Sequence, residues 1–100
     1  MLYNSKMSDP RIWGPPLWRE FHTKALYNPT QETRQELMHF NERLPCLMCA
    51  MHFQTLMGQY PVPGDPKYLF EWSVFIHNQV NAQLKKPQVS LCEARKLFLG

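Results

Sequence analysis

Nearly every proline in this chain stands where a helix would have to begin or stop. There are nine in 100 residues. Proline holds φ near about −65° and has no N–H to donate, so it suits the first turn of a helix and is excluded from a central strand. Asn28-Pro29-Thr30-Gln31 therefore predicts a helix start, with Asn28 as N-cap, Pro29 in the first position and Gln31 reaching back. Asp65-Pro66 repeats the signature, and Pro87 after Lys85-Lys86 predicts where that helix stops, its two lysines complementing the dipole.

The segments between these marks carry apolar residues at helical spacing. After a turn at Gly14-Pro15-Pro16, a first helix should run to about Tyr27, with Leu17 and Phe21 on one face and Trp18 and His22 on the adjoining one. A second should reach about Leu44, apolar through Leu37, Met38, Phe40 and Leu44. A third begins at Cys46 and presents Cys49, Phe53, Leu56 and Met57 inward, with Gly58 as its C-terminal cap. Tyr60 to Gly64 reads as a loop, the fourth helix as the longest, and Ser90-Leu91-Cys92-Glu93 as a capping box that starts a short fifth. No alternating strand pattern or Asn-Gly hairpin occurs. The expectation is an all-α fold, a four-helix bundle with a short fifth helix, over residues 11–100 behind a flexible segment, Met1 to Pro10.

Within that frame, Cys46-Leu47-Met48-Cys49 follows Pro45 at a helix start. There the sulfurs lie near unpaired backbone donors and the positive end of the dipole, which favours a thiolate and points to redox chemistry. Two buried structural thiols remain an alternative. Zinc is a third, but Cys92 is solitary and His39, His52 and Cys92 have no ligand spacing, so no metal is expected. A thioredoxin-like framework needs strands that this chain lacks.

Composition narrows the partners. The net charge of +3 is spread along the chain without a basic block, which argues against nucleic acid. Neither a signal-peptide core nor a run of roughly 20 apolar residues is present, so the chain reads as soluble, non-secreted and without a membrane span. On the fourth helix His77, Asn81 and Lys85 are four apart on one ridge, with Ser73 above them. Such a ridge needs polar partners, either from a large ligand or from the core itself.

Three motifs together resemble a known family. Trp13-Gly14-x-x-x-Trp18-x-x-x-His22, Cys46-x-x-Cys49-Ala50-x-x-Phe53 and His77-Asn78-x-Val80-Asn81-x-x-Leu84-x-Lys86-Pro87 are similar to the flavin-dependent sulfhydryl oxidases of the ERV/ALR type, in order and spacing. The length is most like the minimal forms of large DNA viruses. The resemblance implies bound FAD, a homodimer, and location in the cytoplasm of an infected host cell or in the virion. It implies that Cys49 faces the flavin and Cys46 exchanges with a dithiol protein substrate or an intermediary redoxin, electrons passing to oxygen to give hydrogen peroxide. It places Trp13, Gly14, Trp18 and His22 against the cofactor, with His77, Asn78, Val80, Asn81 and Lys86 around its nucleotide portion; Lys85 joins them only through the ridge.

Two departures accompany it. Cellular members carry a structural disulfide whose two positions here are Val74 and Leu91, so that bridge is absent. Cys92 is then an unpaired thiol, expected to be semi-buried and inert, with a shuttle or intersubunit role as the alternative. His52 either stabilises a thiolate or faces solvent. The rival to the oxidase is a flavin-free helical module for virion assembly.

Overall fold

The computed structural model describes residues 10–99. The flexible lead-in expected for Met1 to Pro10 lies outside them, apart from Pro10. Five α-helices are described: α1 (Pro10–Tyr27), α2 (Gln31–Met38), α3 (Leu47–Gln59), α4 (Leu69–Gln83) and α5 (Leu91–Leu99). Short 3-10 turns at Phe40–Arg43 and Pro66–Tyr68 join them, and the described residues contain no strand. The all-α expectation holds.

The central pair is α1 and α4, with α2, α3 and α5 packed around it. Phe21, Leu37, Leu69 and Ile76 are fully buried. Phe21 is the hub, its ring 4.7 Å from Phe40, 5.6 Å from Trp72 and 5.8 Å from Phe53. Each such side chain contributes about 1.5–3 kcal/mol through burial. One cluster thus ties α1 to the segment before the cysteines and to the helix that carries them.

Element boundaries depart from expectation in several places: the fourth helix begins only at Leu69, after a 3-10 turn at Pro66–Tyr68, and at 15 residues it is shorter than the 18-residue α1. The first helix begins at Pro10, and Gly14-Pro15-Pro16 lies inside it rather than forming a turn. Proline keeps helical φ, so two residues can sit in a helix at the loss of two ladder donors. The second helix is capped by Thr30, whose hydroxyl accepts from the Thr33 N–H, while the Asn28 amide donates to Thr33 Oγ1 at 3.1 Å. That helix ends at Met38, because His39 leaves helical geometry and a 3-10 turn buries Phe40; Met38 is left exposed. Gly58 lies within α3, whose cap is Tyr60.

At the end of α4, Lys85 N–H bonds Ala82 O at 3.1 Å and Lys86 N–H bonds Asn81 O at 2.7 Å, the paired bonds of a Schellman motif. The motif requires a left-handed residue, and Lys85 takes it at φ 58°. An L-residue with a side chain is strained there. Lys85→Gly is expected to stabilise the protein by about 1 kcal/mol, read as a rise in urea midpoint at unchanged slope. An unchanged or lower midpoint contradicts this account of the turn.

Candidate active site

Pro45 delivers the chain to α3, and Cys46 is its N-cap, in extended geometry at φ −144° and ψ 114°. The cap is made by sulfur, since Cys46 Sγ accepts from the Cys49 N–H at 3.3 Å. Upstream, Arg43 pairs with Glu20 of α1, and Glu20 and Glu36 share Lys24 at 3.6 and 2.5 Å. This surface network joins α1, α2 and the 3-10 turn three residues ahead of the first cysteine. Exposed pairs add little stability, so its contribution is to register.

The two thiols, both unbonded and half-buried, are electrostatically unequal. The Cys49 thiol donates to Cys46 and holds it below the ordinary range, helped against burial by the Cys49 and Met48 backbone N–H groups. Burial, the same hydrogen bond and the charge on Cys46 push Cys49 up to about 11. The pair therefore loses its first proton from Cys46.

Behind Cys49 lies a cavity of about 630 Å³, within the range of roughly 300–1,000 Å³ usual for sizeable organic ligands. Cys49 lines it and Cys46 does not. From α1 come Trp13, Gly14, Trp18 and His22, and from α4 and its exit His77, Asn78, Val80, Asn81 and Lys86. His52 also lines it. Beyond its chain neighbours and the backbone of its own helix, a β-carbon at Gly14 would meet no protein atom within 4 Å.

Lys85 is the exception among the expected residues, for the helix ends at Gln83 and is capped by Leu84 before reaching it. Its left-handed backbone takes it off the stripe of His77 and Asn81, and it does not line the cavity. Asn78 does, but both of its amide groups are engaged: Nδ2 donates to Val89 O at 2.7 Å and Oδ1 accepts from Val89 N–H at 2.9 Å. It straps the segment after α4 back along that helix. Cys92, expected to be semi-buried, is exposed. The lining also includes residues outside the motifs, among them two cations, Arg11 and Arg19.

The wall is aromatic. Trp18 stacks on His77 at 3.8 Å and 5°, and His22 lies beside them with its ring 5.1 Å from His77. His22 Nε2 is 2.9 Å from His77 Nδ1 and His22 Nδ1 is 2.9 Å from Ser73 Oγ. Burial, then the neighbouring His77, lowers His22 to about 3; burial, then Lys86, lowers His77 to about 4. Both imidazoles are neutral at pH 7. Trp13 Nε1 is buried on this wall with no protein acceptor. A buried indole N–H ordinarily has one, so the cavity is built for a ligand that brings an acceptor. Among the described residues no three His, Cys, Asp or Glu side chains converge as metal ligands would.

A reactive dithiol on the wall of a large aromatic cavity matches one family. Residues 15–98 fit the Erv1/Alr family model. The chain belongs to that family. The FAD-linked sulfhydryl oxidase of African swine fever virus (isolate Pig/Kenya/KEN-50/1950) is 30% identical over 94 residues, 86% of this chain and 79% of that one. The FAD-linked sulfhydryl oxidase ERV1 of Oryza sativa subsp. japonica is 38% identical over 82 residues, 74% of this chain and 42% of its own. ERV2 of Saccharomyces cerevisiae, also an FAD-linked sulfhydryl oxidase, is 37% identical over 81 residues, 73% and 41%. No solved structure matches the chain. This member of the Erv1/Alr family has five α-helices among its described residues, with the Cys46 and Cys49 thiols at the start of α3. No described helix is long and apolar enough to cross a membrane.

Proposed function

We propose that this chain is an FAD-dependent thiol oxidase that makes disulfides in protein substrates, residues 11–100 forming its catalytic domain. The observation that carries the reading is the asymmetry of the dithiol, with Cys49 on the cavity wall and Cys46 off it at the helix cap. The relatives named FAD-linked sulfhydryl oxidase support it.

The residues present fit FAD. Trp13 Nε1 supplies a donor without a protein acceptor, Trp18 and His77 a flat aromatic face, and Lys86 a cation for the diphosphate. Gly14, Val80 and Asn81 complete the wall, and Asn78 acts through the strap that carries Lys86. When bound, FAD accepts an electron pair from the dithiol and gives it to oxygen, yielding hydrogen peroxide.

The protein's own part is thiol exchange. In the oxidised Cys46–Cys49 pair a substrate thiolate attacks Cys46 sulfur, forming a mixed disulfide and releasing Cys49. Burial raises the proton affinity of Cys49, so it takes up a proton and stays in the cavity as a thiol. The second substrate thiol then attacks the mixed disulfide, releasing the product disulfide and leaving Cys46 as the stabilised thiolate. The reading includes a dithiol protein or redoxin as donor, a homodimer, and action in the cytoplasm of an infected cell or in the virion.

The purified protein should be yellow and consume oxygen with dithiothreitol. A folded, colourless, inactive protein overturns the oxidase and favours a flavin-free assembly module.

A further inference from the structure

Ser73 belongs to none of the three motifs, yet it is the best-buried polar group beside the cavity. It is wholly inaccessible, sits one turn before His77 on α4, and meets His22 across the α1–α4 interface. We propose that Ser73 is a positioning residue that fixes the tautomers of His22 and His77 through one directed hydrogen-bond chain, so that His77 offers the cavity ligand a bare Nε2 acceptor. The proposal extends the FAD reading by assigning which kind of ligand group meets His77.

The direction follows from the two ends. Phe70 O lies 2.7 Å from Ser73 Oγ and can only accept, so it takes the one hydroxyl hydrogen. Ser73 Oγ must then accept in turn, and the group at 2.9 Å is His22 Nδ1, which therefore carries a hydrogen. A neutral imidazole has one such hydrogen, so His22 Nε2 is an acceptor. His77 Nδ1, 2.9 Å away, supplies the donor and holds its own single hydrogen there. Nε2 of His77 is left with a lone pair. The order is His77 to His22 to Ser73 to Phe70, and each link is neutral.

The chemistry of that lone pair selects a partner. It attracts a hydroxyl or amino hydrogen and repels an anionic oxygen. The diphosphate of FAD is therefore excluded from His77 and left to Lys86, whose positive charge already reaches this imidazole. The group at His77 is a donor, a ribose or ribityl hydroxyl or an amino or imino group of a ring.

Removing the anchor should reverse the chain. In Ser73→Ala, His22 Nδ1 loses the oxygen that accepts from it, and the buried pair does better with the hydrogen on His22 Nε2, donating to His77 Nδ1. The His77 hydrogen then moves to Nε2, and the cavity face changes from acceptor to donor. Imidazole tautomers are read directly from nitrogen-15 shifts and long-range proton–nitrogen correlations. In the unsubstituted protein both histidines should be Nδ1–H, with or without flavin. In Ser73→Ala, His77 should be Nε2–H, and FAD affinity should fall about tenfold, the scale of one mismatched hydrogen bond. Ser73→Thr, which keeps the hydroxyl, should restore the Nδ1–H tautomers.

An Nε2–H tautomer at either histidine in the unsubstituted protein overturns the proposal, and this measurement stands even if Ser73→Ala fails to fold. So does a folded Ser73→Ala protein in which His77 keeps its hydrogen on Nδ1. Failure of the FAD reading would show separately, as Nδ1–H tautomers in a protein that binds no flavin.

Discussion

Cys49→Ala is expected to abolish oxygen consumption with dithiothreitol while the purified protein stays yellow. Cys49 is the sulfur on the cavity wall, and its raised proton affinity marks it as the member that remains a thiol when Cys46 ionises. Without it Cys46 can enter a mixed disulfide but has no partner with which to return to the oxidised pair, so turnover falls to background. Flavin should be retained, since the aromatic wall and Lys86 lie on other elements. In the unsubstituted reduced protein, alkylation at neutral pH should label Cys46 before Cys49, because alkylation needs the thiolate. The oxygen electrode, the visible spectrum and peptide mass mapping check the three statements. Normal turnover in Cys49→Ala contradicts the assigned role, and labelling of Cys49 first contradicts the electrostatic order.

The sequence carried the number of helices and the place of the dithiol, because both rest on local rules. Ser90 and Glu93 form the capping box that their spacing predicts, with bonds of 3.1 and 3.2 Å. Pro45 leads into a helix capped at Cys46, as its missing N–H implies. Where local rules compete, the reading failed. Asn28 and Thr30 are both good caps, and Thr30 wins because Asn28 is engaged with Thr33. Taking Gly14-Pro15-Pro16 as a turn concealed Arg11, which stands seven residues before Trp18 and eleven before His22 on the same helical face. Had the helix been continued to Pro10, that spacing would have found it. Lys85 was placed on the cavity by extending helical period past a Schellman turn. The link between His22, Ser73 and His77 was beyond local reading, since it joins residues 51 and 55 apart in the chain.

That link makes the fold acid-sensitive. An ordinary histidine titrates near about 6.5, whereas His22 and His77 stay neutral to about 3 and about 4 because charge in the buried pair loses hydration and, for His77, faces Lys86. As pH falls below 6.5 the unfolded chain takes up protons that the native state refuses. Stability rises with pH wherever the unfolded state binds more protons, so it must fall on acidification across the window between 6.5 and 4. Down to pH 5, His22 alone accounts for about 2 kcal/mol and the less buried His77 for a smaller amount, against a usual total of about 5–15 kcal/mol. Glu20, held low by Arg43, loses its contribution only as pH falls below 4.5, so the span from pH 7 to pH 5 lies outside its range. Urea midpoints at pH 7 and pH 5 should differ accordingly, and His77→Gln should narrow the gap by removing one of the two titrations. Equal midpoints at the two pH values would mean that the imidazoles accept protons in the folded protein, and the neutral chain from His77 to Phe70 would then be wrong. If the gap is found, the wall against which the ligand lies holds together only while both rings are neutral. Flavin release should then accompany unfolding as pH falls.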